Sequence, residues 1–309
     1  MRFVVTGGAG FIGSHTVEEL LRRGHSVVVF DDLSSGHEEN LASFAGPVEL
    51  RKGSVADLDA VRDAFRGANC VIHLAGQVSV PRSVNDPIET NRINVDGTLN
   101  VLVAARDANA KRVVVASSCS VHGEPNAKSE PKMPAPISPH GVSKLTMEMY
   151  ARVFARSYGL ETVSLRYFNV FGPRQDPGSP YSGVLSLFCA ALRDGAPISI
   201  YGDGEQSRDF TYIDNVVHAN LRACEAPEAS GLAFDIGMGK SRTLNETLKL
   251  LEKVSGRTAQ VTYAPPRAGD IRDSQADIAL ARQKLGYEPS VSVEEGLRRT
   301  WDWFKAQSL

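Results

Sequence analysis

The sequence predicts an α/β protein: a doubly wound parallel sheet with a smaller C-terminal α/β domain. Three observations lead there. Over the first two-thirds of the 309 residues, short β-branched runs alternate with helical patterns. A glycine-rich turn joins the first run to the first helix. After Asn169 the texture changes, and Pro and Gly cluster in NVFGPRQDPGSP.

The runs FVVTG (3–7), SVVVFD (26–31), CVIHLAG (70–76), RVVVASS (112–118) and TVSLRYF (162–168) are apolar and end in Gly, Ser or other turn and strand-end residues. Unbroken apolar runs suit strands covered on both faces, as in a parallel sheet. Helices are expected at 12–23, 57–66, 87–109 and 141–158, and such alternation places ligands at the carboxyl ends of the strands. The first domain is expected over 1–169, with the chain crossing back to the sheet at about 209–236. The second is expected over about 170–208 and 237–309. No internal repeat or low-complexity tract interrupts this pattern.

Composition narrows the function. Hydrophobic residues make up 42%, charged residues 23%, and the formal net charge is −2, so no basic excess points to nucleic acid. No apolar run approaches a membrane span. The N-terminus MRFVVTGGAG reads directly as strand and turn, which predicts no signal peptide. Cys70, Cys119, Cys189 and Cys224 are scattered, as free thiols in a reducing compartment would be, so a cytoplasmic protein without a metal site is expected.

In VVTGGAGFIGSH, Gly7, Gly10 and Gly13 stand between the first strand and first helix. They serve the tight turn, backbone approach to a pyrophosphate and close helix–strand packing, and the helix N-terminus faces the phosphates. This is the pattern of a Rossmann-type dinucleotide site. Asp31 follows Gly13 by 18 residues and can accept hydrogen bonds from a ribose; Asp32 adds charge, and residues 33–40 hold no Arg or Lys for a 2′-phosphate. NAD is therefore expected over NADP.

GGAGFIG, DDLSSG, HLAGQVSVPRS, SSCSVHGEP, RYFNVFGPRQ, GDGEQSRDFTYIDN and RAGDIRDSQAD occur in order along residues 1 to about 304. With these motifs the chain resembles the extended short-chain dehydrogenase/reductases of the NAD-dependent epimerase/dehydratase family, and within them the UDP-glucose and UDP-N-acetylglucosamine 4-epimerases. The resemblance implies a bound NAD and a nucleotide-sugar-binding C-terminal domain. It also implies proton loss from a sugar hydroxyl to a tyrosine, and a 4-keto sugar that turns over before the hydride returns. It adds Phe11, Ile12, Ser35, Gly36, Ser54 and Val55 to the cofactor residues, then Leu74, Ala75, Gly76, Asn94, Lys144 and Tyr167. Where related chains carry Gly-Asp-Ile against the adenine, this one has Gly53-Ser54-Val55, so the charge is gone. Ser79, Ser118, Asn169, Tyr201, Arg208, Arg267 and Asp270 are implied as substrate contacts, the guanidiniums for the diphosphate and Asp270 for the uridine ribose. Ser274 joins them. A small residue there leaves room for an N-acetyl group, which favours UDP-GlcNAc and UDP-GalNAc or tolerance of both sugar classes.

The implied catalytic positions are Ser118, His140 and Lys144, and His140 stands where the family has tyrosine. Histidine starts near pKa 6.5 and needs no lowering to act as a base at neutral pH, but imidazole is shorter than phenol. A bridging water or a relay through Ser118 closes the gap, or proton transfer is crippled. His122 also occupies a usual tyrosine position and reads mainly as a wall of the site. Dehydratases carry an Asp-Glu pair where this chain has Cys119 and Ser120. Three readings follow: a UDP-sugar 4-epimerase, another nucleotide-sugar keto chemistry, or an NAD- and nucleotide-sugar-binding protein with little turnover. The resemblance further implies a homodimer through a four-helix bundle of helices 87–109 and 141–158.

Overall fold

The computed structural model describes residues 1–42, 44, 46, 48–123, 134–178, 183–266 and 271–307. The first part runs β1 (Arg2–Thr6), α1 (Phe11–Arg22), β2 (Ser26–Asp31), β3 (Val48–Lys52), α2 (Leu58–Ala64), β4 (Cys70–His73), α3 (Val80–Asn85), α4 (Pro87–Asn91), α5 (Gly97–Asp107), β5 (Arg112–Ser118), α6 (Pro139–Ser157) and β6 (Glu161–Tyr167). It continues through β7 (Val170–Phe171), α7 (Val184–Asp194), β8 (Ile198–Tyr201), β9 (Ser207–Arg208), β10 (Thr211–Tyr212), α8 (Ile213–Glu225) and β11 (Leu232–Ile236). The last elements are β12 (Arg242–Thr243), α9 (Leu244–Ser255), β13 (Val261–Ala264), β14 (Asp273–Ser274), α10 (Ala279–Leu285) and α11 (Val293–Ala306).

Seven strands form one parallel sheet in the order β11-β6-β5-β4-β1-β2-β3. The order turns at β1, between β2 and β4, which opens a crevice at the strands' carboxyl ends. Each face is covered, which is why the strands read as unbroken apolar runs. Val61, Val101, Leu102 and Met147, from α2, α5 and α6, pack on one face. On the other, Val17, Leu20, Val216 and Leu221, from α1 and α8, join a cluster that continues to Leu251, Leu297 and Phe304. The apolar core is thus shared between the sheet and the C-terminal segments.

The stretch expected as one helix over 87–109 is broken. α4 passes into a π-helical turn at Arg92–Asp96 before α5 begins. The turn brings the buried Asn94 against the loop after β4, where its side chain bonds the Gln77 N–H at 2.8 Å and the Gln77 carbonyl at 3.0 Å. A local π turn is a recurring feature near functional sites. Ser138 caps α6 by accepting from Gly141 N at 3.1 Å, and Pro139 opens the helix where its missing N–H costs nothing.

Candidate active site

The glycine turn fits a dinucleotide phosphate. Gly10 precedes α1 with no side-chain cap, and the first turn carries no acid. A Cβ on Gly7, whose φ is +66°, would stand 2.7 Å from Ala75 N, so only glycine lets the loops after β1 and β4 meet there. At Gly10 an added Cβ would meet only the Gly7 carbonyl, at 3.3 Å, so the backbone is open to approach. Asp31, at the end of β2, accepts from Ala9 N and Leu33 N, both at 2.9 Å, which ties it to the glycine loop and leaves carboxylate lone pairs for a ribose. Burial raises its pKa above the usual carboxylate value, and the two N–H bonds oppose that rise. Asp32 holds the following turn through Ser34. Ser35 and Gly36 lie in that turn, and Gly36 abuts Ala9.

Several of the expected cofactor residues prove to be internally bonded. Ser54 accepts from Ala56 N at 3.3 Å after β3, and Val55 is buried beside it. Leu74, Ala75 and Gly76 form the loop after β4, with Ala75 N bonded to Thr6 Oγ1 at 3.2 Å. Phe11 and Ile12 open α1. The Tyr167 side chain lies in the core, with its hydroxyl donated to Asn220 Oδ1 of α8 at 2.6 Å.

Ser118, His140 and Lys144 come together at the end of β5. The helix start can approach because position 141 is glycine: a Cβ there would lie 2.6 Å from the Ser120 carbonyl. Lys144 is buried and donates from Nζ to the Ala116 carbonyl at 2.8 Å. Burial lowers its pKa to about 8, against the opposing charge of Glu148 one turn on. Gly76 borders it, since a Cβ there would stand 3.5 Å from Nζ. Ser118 accepts from Ser120 N at 3.1 Å and donates to Ser120 Oγ at 3.0 Å.

His140 is 4% exposed. Its Nδ1 lies 3.2 Å from the Gln77 carbonyl, an acceptor only, so Nδ1 carries the hydrogen and Nε2 keeps its lone pair. Burial, with the Lys144 charge second, lowers its pKa to about 4. The ring is therefore neutral at neutral pH. Cys119, in the turn after Ser118, has its thiol within hydrogen-bond reach of Ser118 and Ser274 and faces Asp235 and Arg208; burial pushes its pKa up.

The residues implied as substrate contacts lie on several elements. Ser79 caps α3, accepting from Arg82 N at 3.1 Å, and its own N–H is held by Gln77 Oε1. Asn169 follows β6 with φ +34° and donates to the Asp209 carbonyl at 3.3 Å. Arg208 pairs with Ser274 across β9 and β14, and Tyr201 ends the half-exposed β8. Arg267 and Asp270 lie outside the described residues.

The sequence did not single out four polar groups that the fold gathers here. Arg166 is bidentate on Glu148 at 2.8 and 2.7 Å, Ser117 donates to the same carboxylate, and Asp235 lies between Arg166 and His122. His73, fully buried at the end of β4, bridges Thr6 and Thr98; burial lowers its pKa to about 3 and it is a packing residue. Among the described residues no cluster of His, Cys, Asp and Glu could hold a metal ion, and no helix is long and apolar enough to cross a membrane.

Residues 3–237 match the model of the NAD dependent epimerase/dehydratase family. A UDP-glucose 4-epimerase of Mycolicibacterium smegmatis is 39% identical over 100% of both chains. Two solved structures superpose closely. The UDP-N-acetylglucosamine 4-epimerase of Methanobrevibacter ruminantium, in complex with UDP-N-acetylmuramic acid, has a TM-score of 0.91 and 39% identity over 98% of this chain and 97% of that one. The UDP-glucose 4-epimerase of Thermus thermophilus, in complex with NAD, has a TM-score of 0.90 and 38% identity over 100% of both chains.

Proposed function

The chain belongs to the NAD dependent epimerase/dehydratase family, and from that premise we propose that it inverts C4 of a UDP-hexose or UDP-N-acetylhexosamine. One observation carries the reading: a hydroxyl, an imidazole with a free Nε2 and a buried ammonium converge at the end of β5 beside the dinucleotide crevice.

NAD, when bound, supplies the hydride acceptor and donor that take C4 through a ketone. The protein's residues do the rest. Gly10 would admit the pyrophosphate to the backbone, with Gly7 and Gly13 letting the turn and the helix pack closely enough to form the site, and Asp31 would receive the adenosine ribose. Lys144 has N–H groups beyond the one given to Ala116 for the nicotinamide ribose, and its charge favours an alkoxide at C4. Ser118 and His140 Nε2 face the C4 hydroxyl. Arg208 and Arg267 hold the diphosphate, with Asp270 on the uridine ribose and Tyr201, Asn169 and Ser79 around the sugar. Residues 1–169 and 209–236 carry the cofactor, and the remainder carries the nucleotide sugar. The serine at 274 leaves space at C2, which favours acceptance of N-acetylated sugars. Positions 119 and 120 carry no carboxylate, which weighs against dehydration across C5–C6.

Following UDP-glucose and UDP-GlcNAc by the anomeric signals in NMR tests the reading. The expected result is conversion to the galacto epimers. A 4-keto-6-deoxy product assigns the protein to dehydration instead, and binding without turnover assigns it to a binding role.

A second copy of the chain is proposed to cover an apolar stripe. Val142, Met149 and Val153 line one side of α6, with Val84 and Ile88 beside them on α3 and α4; Ile88 is 82% exposed and Met149 59%. Sedimentation of the full chain is expected to give a dimer, and Met149→Glu with Ile88→Glu a monomer. A wild-type monomer overturns this assignment.

A further inference from the structure

One pair of titratable side chains in the site has no part in the scheme above. His122 Nε2 lies 2.9 Å from Asp235 Oδ1. The carboxylate accepts, so Nε2 carries the hydrogen and Nδ1 holds a lone pair. Asp235 is itself backed by Arg166 at 3.6 Å, and Arg166 by Glu148, one helical turn from Lys144. An alternating series of charges therefore runs beneath the end of β5 and finishes at His122.

The two histidines stand on either side of one turn. The helix that carries His140 packs through Gly141 against Ser120, while His122 N closes the same turn on the Cys119 carbonyl at 3.0 Å. They differ in access: the His122 side chain is 27% exposed, whereas His140 is 4% exposed. They differ also in the charge that an imidazolium would face. At position 140 it faces the Lys144 ammonium, in a pocket that keeps the ring neutral. At position 122 it faces a carboxylate within hydrogen-bond distance. A base oriented by a carboxylate on its far nitrogen is a recurrent arrangement for proton transfer.

We infer that His122, oriented by Asp235, is the proton carrier of the reaction, and that His140 stays neutral and takes no proton. The inference rests on the C4-epimerase reading. In the step, the substrate O–H bond breaks and an N–H bond forms at His122 Nδ1. The resulting imidazolium is held by Asp235. NAD, when bound, would take up the C4 hydride, and the return of hydride and proton would restore the neutral His122 ring. The other charged or titratable groups facing this turn are Arg166 from β6, Glu148 from α6, Cys119 of the turn itself and Arg208 from β9.

His122→Gln and Asp235→Asn test this on the full chain with NAD and UDP-glucose. Each is expected to lower kcat for C4 inversion by about 10²-fold with KM within twofold, and to leave bound NAD unchanged. Either variant with wild-type kcat overturns the inference while the epimerase reading stands. If the wild-type protein gives no inversion, that reading has failed. The imidazole ¹⁵N resonances of His122 then decide. A shift of Nδ1 on adding UDP-glucose, absent in Asp235→Asn, supports the dyad as a sugar-facing group, and no shift in the wild type overturns it.

Discussion

Replacing Lys144 by methionine is expected to lower turnover by about 10³-fold, the range in which single preorganised cations and acid–base groups act. Methionine keeps the length and the apolar packing of the stem. What is lost is the ammonium, together with its bond to the Ala116 carbonyl and the N–H groups left for the cofactor ribose. Glu148 stays paired, because Arg166 and Ser117 still hold it, so no carboxylate is stranded in the core. The pH dependence separates this role from mere packing. Lys144 titrates at about 8 and His140 at about 4. Between those values the ammonium is charged and the imidazole is neutral. As pH rises through about 8 the ammonium loses its proton and wild-type turnover falls. Lys144→Met has no such group, so its residual rate runs flat through the same interval. Steady-state kcat across pH 6–10, with bound NAD measured in parallel, checks both points; an alkaline limb retained in the variant assigns it to another group.

The sheet was readable because its strands are covered on both faces, so VVVF, CVIH and VVVAS carry no polar alternation to confuse the pattern. The edge strand VELRK is the counterexample. It is only half-buried, with Glu49 and Lys52 exposed and Arg51 partly so, and no apolar run marks it. Gly7, Gly10 and Gly13 were legible because their chemistry depends on local spacing within one strand–turn–helix unit, whereas Ser118 and Lys144, on β5 and α6, were implied only by the resemblance. Asp235 was not. It sits inside LAFDI, where one acid in an apolar strand reads as the outward-facing position, and its partner His122 is 113 residues away. Gln77 was hidden for another reason, since it fixes the His140 tautomer through a backbone carbonyl, which every residue type possesses. Tyr167, implied through the resemblance alone, sends its side chain to α8 because strand residues alternate faces.

His140→Tyr is expected to raise kcat by about tenfold or more, and to do so in a way that exposes the two-histidine arrangement. The neutral imidazole at 140 is a weak base, since its conjugate acid would sit buried beside Lys144 and titrates at about 4. A phenol at that position starts near pKa 10 and is drawn down by the same ammonium, because here the charged form is an anion. The cation that suppresses a protonated histidine thus promotes an ionised tyrosine. The phenol also reaches farther from α6 toward the sugar. With a competent base at 140, the proton no longer needs His122. The penalty of His122→Gln, about 10²-fold in the wild-type background, is then expected to shrink to within a few-fold in the His140→Tyr background. Such non-additivity is what two groups competing for one proton produce, whereas residues acting at separate steps would give additive losses. Kinetics of the four proteins in this cycle, with NAD occupancy confirmed for each, measure the coupling. If His140→Tyr leaves turnover unchanged, histidine at 140 is not what sets the rate, and if the two substitutions add, His122 and position 140 do not share a proton.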